Sequence, residues 1–390
     1  MTTASPSVKA KVFPLFFLAG MFFANFLSRL ISAPLMPVIE QELGFGHSSA
    51  GLFFLMLAMG YSTGLMVSGL VSSRLTHLRT ISLSAMITGG ALLVIAASRE
   101  LWMIRGGLFL VGISTGLYLP SGITTITSSI ESRHWGKALA VHEFAPILAF
   151  IAVPLMTEGL LLILPWRAIL VLIGIAVMVM GLIFPRFALG GNFRGDAPTF
   201  GNIRLLMGNS DFWRMVPLFC AALAINVGIY NMLPLYLTAE RGMARDAANA
   251  LAGLSRMSAI PVALFTGWIA DRFGAKPTMA AVIFFNGLAV ILLGIIPGRW
   301  VALMVFLQPV LAGGFFPAGF AALSRIVPVN ARSLAVAITV FIANLVGAGL
   351  VPVFLGIFGD AGKFGVAFII VGCAVLTSLF LIARLDVKEG

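Results

Sequence analysis

The chain has 390 residues, 60% of them hydrophobic and only 10% charged, and its mean hydropathy is +1.06. A soluble globular surface carries roughly a quarter charged residues, so 14 acidic and 25 basic side chains are too few to solvate a fold of this size. The net charge of +11 does not mark a nucleic-acid partner, because the basic residues fall singly in short gaps between apolar runs and form no phosphate-binding face.

A helix needs about 20 apolar residues to cross a bilayer. The sequence predicts twelve such segments, at 12–37, 47–73, 79–98, 101–130, 137–164, 167–189, 211–240, 246–271, 275–297, 299–327, 331–358 and 363–385. The first is as long as the others and shows no small-residue cleavage pattern, so it is expected to be a retained helix. The stretch 190–210 is polar and glycine-rich, and it divides the chain into a six-helix bundle at 1–189, a linker, and a second six-helix bundle at 211–390. With the segments alternating sides, 16 of the 25 basic residues fall in the gaps on the side of the N-terminus and six in the opposite gaps. That bias predicts a multi-pass protein of a bacterial-type inner membrane with both termini and the linker cytoplasmic.

The two halves echo each other. At an offset of 197, Gly116, Pro120, Gly122, Ala138 and Ala140 recur as Gly313, Pro317, Gly319, Ala335 and Ala337, and at 198, Gly69 and Arg74 recur as Gly267 and Arg272. Duplicated membrane halves are the usual architecture of secondary transporters, with the substrate site at the midplane.

Several motifs carry a family resemblance. The stretch Gly267-Trp-Ile-Ala-Asp-Arg-Phe-Gly-Ala-Lys276 resembles the cytoplasmic loop motif of the major facilitator superfamily. Its counterpart after segment two, 69–79, keeps the glycine and Arg74 but has Ser73 in place of aspartate. Arg105-Gly-Gly with Gly112, Gly116 and Pro120 is similar to that family's segment-four motif; Pro165-Trp-Arg167 and Tyr230-Asn-Met-Leu-Pro-Leu-Tyr236 are also similar to family sequences. The resemblance implies an all-α fold of twelve transmembrane helices in two bundles related by pseudo-twofold symmetry, with segments one, four, seven and ten lining a cavity. Drug/proton antiporters of the family carry a glycine-rich Gly-Pro motif in segment five. Here 142–154 has Pro146 without those glycines, which lowers multidrug export.

An ionisable side chain deep in the bilayer is costly and marks function by default. Away from the span ends there are four: Arg29, Arg105, Glu143 and Arg256. At about 1.5 Å per residue, Arg29 and Arg256 lie roughly 25 and 22 Å from the cytoplasmic ends of their segments, at a similar depth in opposite halves. A guanidinium stays charged and presents a planar fork to a carboxylate or phosphate, so this pair is the expected anion site. The alternative is that each arginine pairs with a helix end or a buried carboxylate, yet three arginines have one intramembrane carboxylate between them. Similarly placed segment-eight arginines occur in superfamily members that carry monocarboxylates and oxalate. Arg105, near the outer end of segment four, resembles a structural arginine.

Glu143, roughly 9 Å from the cytoplasmic end of segment five and beside His142, is the expected proton-coupling group, with His142 second. It could instead face the mouth and bond Arg133 or Lys137. Asn25 and Arg29 share a face of segment one, and Asn226 and Tyr230 a face of segment seven with Asn231 beside them. With Tyr118 of segment four, these are the expected substrate-binding side chains. The alternative is that Asn, Ser and Thr bond helix backbones. Asp271, Arg272 and Arg74 are expected gating residues.

No catalytic cluster, no cofactor and no metal site is expected. The four histidines lack ligand spacing, the two cysteines lie in apolar runs, and no phosphate-cradling loop supports an ATP-driven pump. The expected function is proton-coupled secondary transport of a small organic anion, preferably a carboxylate, by a monomer in the lipid bilayer. The alternative is proton-antiport export of drugs or amphipathic compounds.

Overall fold

The computed structural model describes residues 8–188, 190–195, 203–261, 269, 272–298, 300–312, 314–328 and 331–386. Regular structure among them is helical throughout. Lipid offers no hydrogen bonds to the backbone, so each apolar run must satisfy its own amides as a helix. Among the described residues, eleven helices are long and apolar enough to cross a membrane. The predicted eighth segment starts as the helix Arg245–Ser255 and runs on into residues outside that set.

The chain divides into two compact units. The first comprises 1–31, 60–150 and 160–198. Its helices include α1 (Val8–Leu30), the latter part of α2 (His47–Arg74), α3 (His77–Ala97), α4 (Leu101–Ser129), most of α5 (Trp135–Leu161) and α6 (Trp166–Phe187). Here α3 packs on α4 and α6, and α1 packs on the same two helices. Small residues set the closest approach. A Cβ at Gly60 would lie 2.1 Å from the Phe109 carbonyl oxygen, and one at Gly64 would lie 2.2 Å from that of Ile113. Glycines four apart therefore bring the α2 and α4 backbones into direct contact. The start of the predicted linker is pinned to the loop after α2. The Gly195 amide donates to Ser72, and the amides of His77 and Leu78 donate to Phe193 and Gly191.

The second unit comprises 32–59, 151–159 and 199–390. Two π turns, Ala224–Gly228 and Asn344–Leu350, interrupt its helices and pack on each other. A Cβ at Gly228 would sit 2.2 Å from the Gly347 carbonyl oxygen, so only glycine permits this contact. Side-chain bonds join the sequence-distant parts of the unit. The Asn344 amide donates to the Ala58 carbonyl at 2.9 Å, and Asp360 accepts from the Ser48 amide at 3.2 Å. Glu240 caps the helix Phe364–Thr377 by accepting from the amides of Phe364 and Gly365.

Candidate functional site

In the first unit, Arg29 sits in the last turn of α1, partly buried. Its guanidinium carbon lies 3.7 Å from the centre of the Tyr61 ring and 5.0 Å from that of Phe26. Phe26 is one helical turn back. Tyr61 comes from α2, between the two glycines that press that helix onto α4. The Arg29 Nε is buried and makes no hydrogen bond. The cation sits within reach of both ring quadrupoles, with no carboxylate partner among the described residues.

Asn25, one turn before Arg29, is also buried, and its amide donates to the Thr115 carbonyl at 3.0 Å. That bond ties α1 to α4. Tyr118 is buried on α4, where its hydroxyl donates to the Leu18 carbonyl at 2.8 Å and lies 3.1 Å from His142 Nε2. Two hydroxyls further along α4 bond within their own helix. Thr125 donates to the Ser121 carbonyl and Ser128 to that of Thr125.

His142 is fully buried and stacks on Phe22, with ring centres 4.1 Å apart and planes 9° from parallel. Its Nδ1 lies 3.2 Å from Glu143 Oε1. The Glu143 side chain is 54% exposed, so one end of this chain is closed and the other is accessible. Arg133, which could have paired with Glu143, pairs with Glu131 at 2.8 Å.

The second unit holds Arg256 differently. The helix Arg245–Ser255 gives way to a 3-10 turn at Arg256–Ser258, and Arg256 is 7% exposed. Its Nη1 donates to Asn226 Oδ1 at 2.9 Å and its Nη2 to the Asn226 carbonyl at 2.7 Å. The Tyr230 ring centre lies 4.6 Å from its guanidinium carbon. Asn226 is inside the first π turn, where ordinary helical carbonyl pairing lapses. The neighbouring Ile225 carbonyl accepts from Gln308 at 2.6 Å. Two irregular turns therefore meet at one buried cation, and Asn226 fixes the plane of its fork. Asn231 is buried beside Tyr230.

The remaining predicted residues are scattered. Arg105 is partly buried in the second turn of α4, and Arg74 is exposed at the end of α2. Arg272 is exposed, with its guanidinium carbon 5.8 Å from the Phe273 ring centre. Asp271 lies outside the described residues.

Sequence reasoning missed two features. One is Tyr61, whose pairing with Arg29 has no local signal. The other is an ionic cluster in the second unit, where Glu158 Oε1 accepts from Asn249 at 2.5 Å and from Arg245 Nε at 3.1 Å. The Asn249 amide also reaches the Pro34 carbonyl at 3.0 Å. Arg245 and Asn249 are four apart on one helix face, a legible juxtaposition, but Glu158 lies 87 residues from Arg245 and its approach has no local signal.

Comparison with known proteins places this geometry in context. A fragment of 113 residues, 28% of the chain, is 37% identical to a protein described as a probable sulfoacetate transporter from Cupriavidus necator, and covers 26% of that relative. The chain thus spans about a quarter of that relative's length in the match. A bacterial homolog of the human lysosomal transporter Spinster, in an inward-facing and occupied conformation, superposes with a TM-score of 0.82 at 15% identity, covering 98% of each chain. A D-xylose-proton symporter superposes with a TM-score of 0.77 at 17% identity, covering 97% of this chain and 98% of its own. At those identities the likeness concerns the fold alone. The model of the Major Facilitator Superfamily matches residues 18–261 and 238–389. Matched along nearly its whole length, the chain belongs to the Major Facilitator Superfamily, and it is a multi-pass membrane transporter, not an enzyme.

Proposed function

We propose that the protein carries a small organic anion, a carboxylate or sulfonate, by proton-coupled alternating access, with Arg256 and Arg29 as the anion ligands. The observation that carries this reading is Arg256: a buried guanidinium in the predicted eighth segment, its fork bonded to Asn226 and its guanidinium carbon 4.6 Å from the Tyr230 ring centre. A cation in that setting is expensive to maintain, and a preset fork suits a planar or tetrahedral oxyanion. The partial relative described as a probable sulfoacetate transporter supports an acidic small molecule as cargo.

In this reading Tyr230, Asn226 and Asn231 shape the second-unit pocket. Asp271, Arg272 and Arg74 serve gating, and Arg105 is structural. The duplicated halves act as two six-helix bundles, and the bias of basic residues puts both termini in the cytoplasm of a bacterial cell.

The test is reconstitution into liposomes loaded with a pH-sensitive dye, followed by a panel of small carboxylates, sulfonates and phosphates. Internal acidification that depends on one of them, and vanishes in well-folded Arg256→Ala vesicles, is expected. Uptake that survives Arg256→Ala at the wild-type rate refutes the site. Export of cationic amphiphiles that ignores both arginines returns the chain to the drug-export class.

A further inference from the structure

We propose that Tyr118, His142 and Glu143 form a binding site for one proton, with the proton lodged on the His142–Glu143 pair and Tyr118 as a positioning residue. This rests on the proton-coupled reading above and names the atoms that serve it.

Three contacts run in series: the Leu18 carbonyl to the Tyr118 hydroxyl at 2.8 Å, that hydroxyl to His142 Nε2 at 3.1 Å, and His142 Nδ1 to Glu143 Oε1 at 3.2 Å. Both ends are acceptors, one a carbonyl and the other a carboxylate. Three bonds need three hydrogens. Tyr118 supplies one and a neutral imidazole supplies one.

Tyr118 must spend its hydrogen on Leu18, or two oxygens 2.8 Å apart would face each other with none between them. It then accepts from Nε2–H, which fixes that tautomer. Nδ1 is left with a lone pair opposite a carboxylate, and that contact closes only when one further proton arrives. Whether this proton rests on Nδ1 or on Oε1, the pair holds one and the count balances. Its release returns a neutral Nε2–H ring beside a carboxylate.

Access is one-sided. The ring is sealed by Phe22 on α1 and by Tyr118 and Gly122 on α4, while Glu143 is open to its surroundings. Besides His142, the titratable and charged groups of these elements are Arg105 and Tyr118 on α4, Lys137, Glu143 and Glu158 on α5, and Lys9, Lys11 and Arg29 on α1. Among the described residues, only Tyr118 and Glu143 hydrogen-bond the ring.

The same count singles out Glu143→Gln. A glutamine amide donates to Nδ1, so a neutral ring then satisfies all three contacts, and the variant imitates the proton-loaded site permanently. Nitrogen-15 NMR of histidine-labelled protein in detergent, with the His142 signal identified by its loss in His142→Phe, tests this without a transport substrate. In wild type the Nδ1 resonance is expected to move in a single step across a pH series. That step disappears in Glu143→Gln. In Tyr118→Phe the Nε2–H loses its acceptor, so at high pH the ring switches to the Nδ1–H tautomer, which a purely structural tyrosine would not cause.

A wild-type Nδ1 signal that is invariant with pH, or a step that persists in Glu143→Gln, overturns the proposal. In liposomes, with sulfoacetate as the compound tried, Glu143→Gln is expected to keep counterflow exchange and lose acidification-linked uptake. Loss of the NMR step with intact proton-linked transport sinks this site alone. Failure of wild-type transport across the whole panel, with the step present, sinks the anion reading and leaves the proton site standing.

Discussion

The two arginines are held in opposite ways. Arg29 rests against the Tyr61 and Phe26 rings, with a buried Nε that bonds nothing. Arg256 has its fork pinned by two hydrogen bonds that it donates to Asn226, in addition to the Tyr230 ring. A cation held by ring faces attracts charge but sets no direction, whereas a cation held through its N–H groups has its plane decided before a ligand arrives. For the anion site proposed above, this difference predicts that Arg256 sets the geometry of recognition and Arg29 contributes mainly field.

The contrast can be broken most severely by keeping the charge and removing the fork. Arg256→Lys is expected to lower kcat/KM for the substrate anion by about 100-fold or more, as a change of roughly 3 kcal/mol implies, while Arg29→Lys costs about tenfold or less. Equal losses in uptake assays would erase the distinction. Next comes Asn226→Ala. Hydrogen bonds to a charged group contribute about 1.5–3 kcal/mol, so KM for the anion is expected to rise about tenfold with kcat little changed.

Tyr61→Leu removes the closer ring under Arg29. For a partly buried cation a cation–π contact contributes about 0.5–1 kcal/mol, so a weakening of transport of about two- to fivefold is expected, with the pH dependence of uptake unmoved. The smallest effect concerns the cluster outside both sites. Arg245 is 40% exposed and Glu158 14%, so solvent screening limits their pair to about 1 kcal/mol or less. Glu158→Gln keeps an acceptor for Asn249 and is expected to lower the melting temperature by only a degree or two. A drop far beyond that would show that the cluster holds residues 151–159 and 32–59 in the second unit more firmly than its exposure implies.

How much was legible beforehand varied with the kind of contact. Helix existence followed from the apolar runs, and the cost of charge in lipid singled out Arg29, Arg256 and Glu143. Local pairs were within reach too, since His142 and Glu143 are adjacent and Arg245 and Asn249 are one turn apart. The partners of those groups were not. Asn25 was expected at the substrate and is joined to the Thr115 carbonyl 90 residues away. Tyr118 was expected on a cavity wall, and its hydroxyl is taken up by Leu18 and His142. Whether Asn226 met substrate or another helix was open, and the π turn that aims it at Arg256 has no signature that hydropathy reveals.

The sequence by itself determined the solvent, the family and the list of charges that must have a purpose. Each of these is a one-dimensional property: lipid forces every apolar run to bond its own backbone, whatever its neighbours do. Tertiary structure alone decided what each charge touches. The rotation and register of a helix are set by packing, through seams such as Gly60 and Gly64 of α2 against α4 or Gly228 against Gly347. Those contacts turn Tyr61 under Arg29 and bring Asn226 to a residue 30 positions away and Asn344 to one 286 positions away. No span length or hydropathy value encodes a rotation, because every face of a lipid-spanning helix can be apolar.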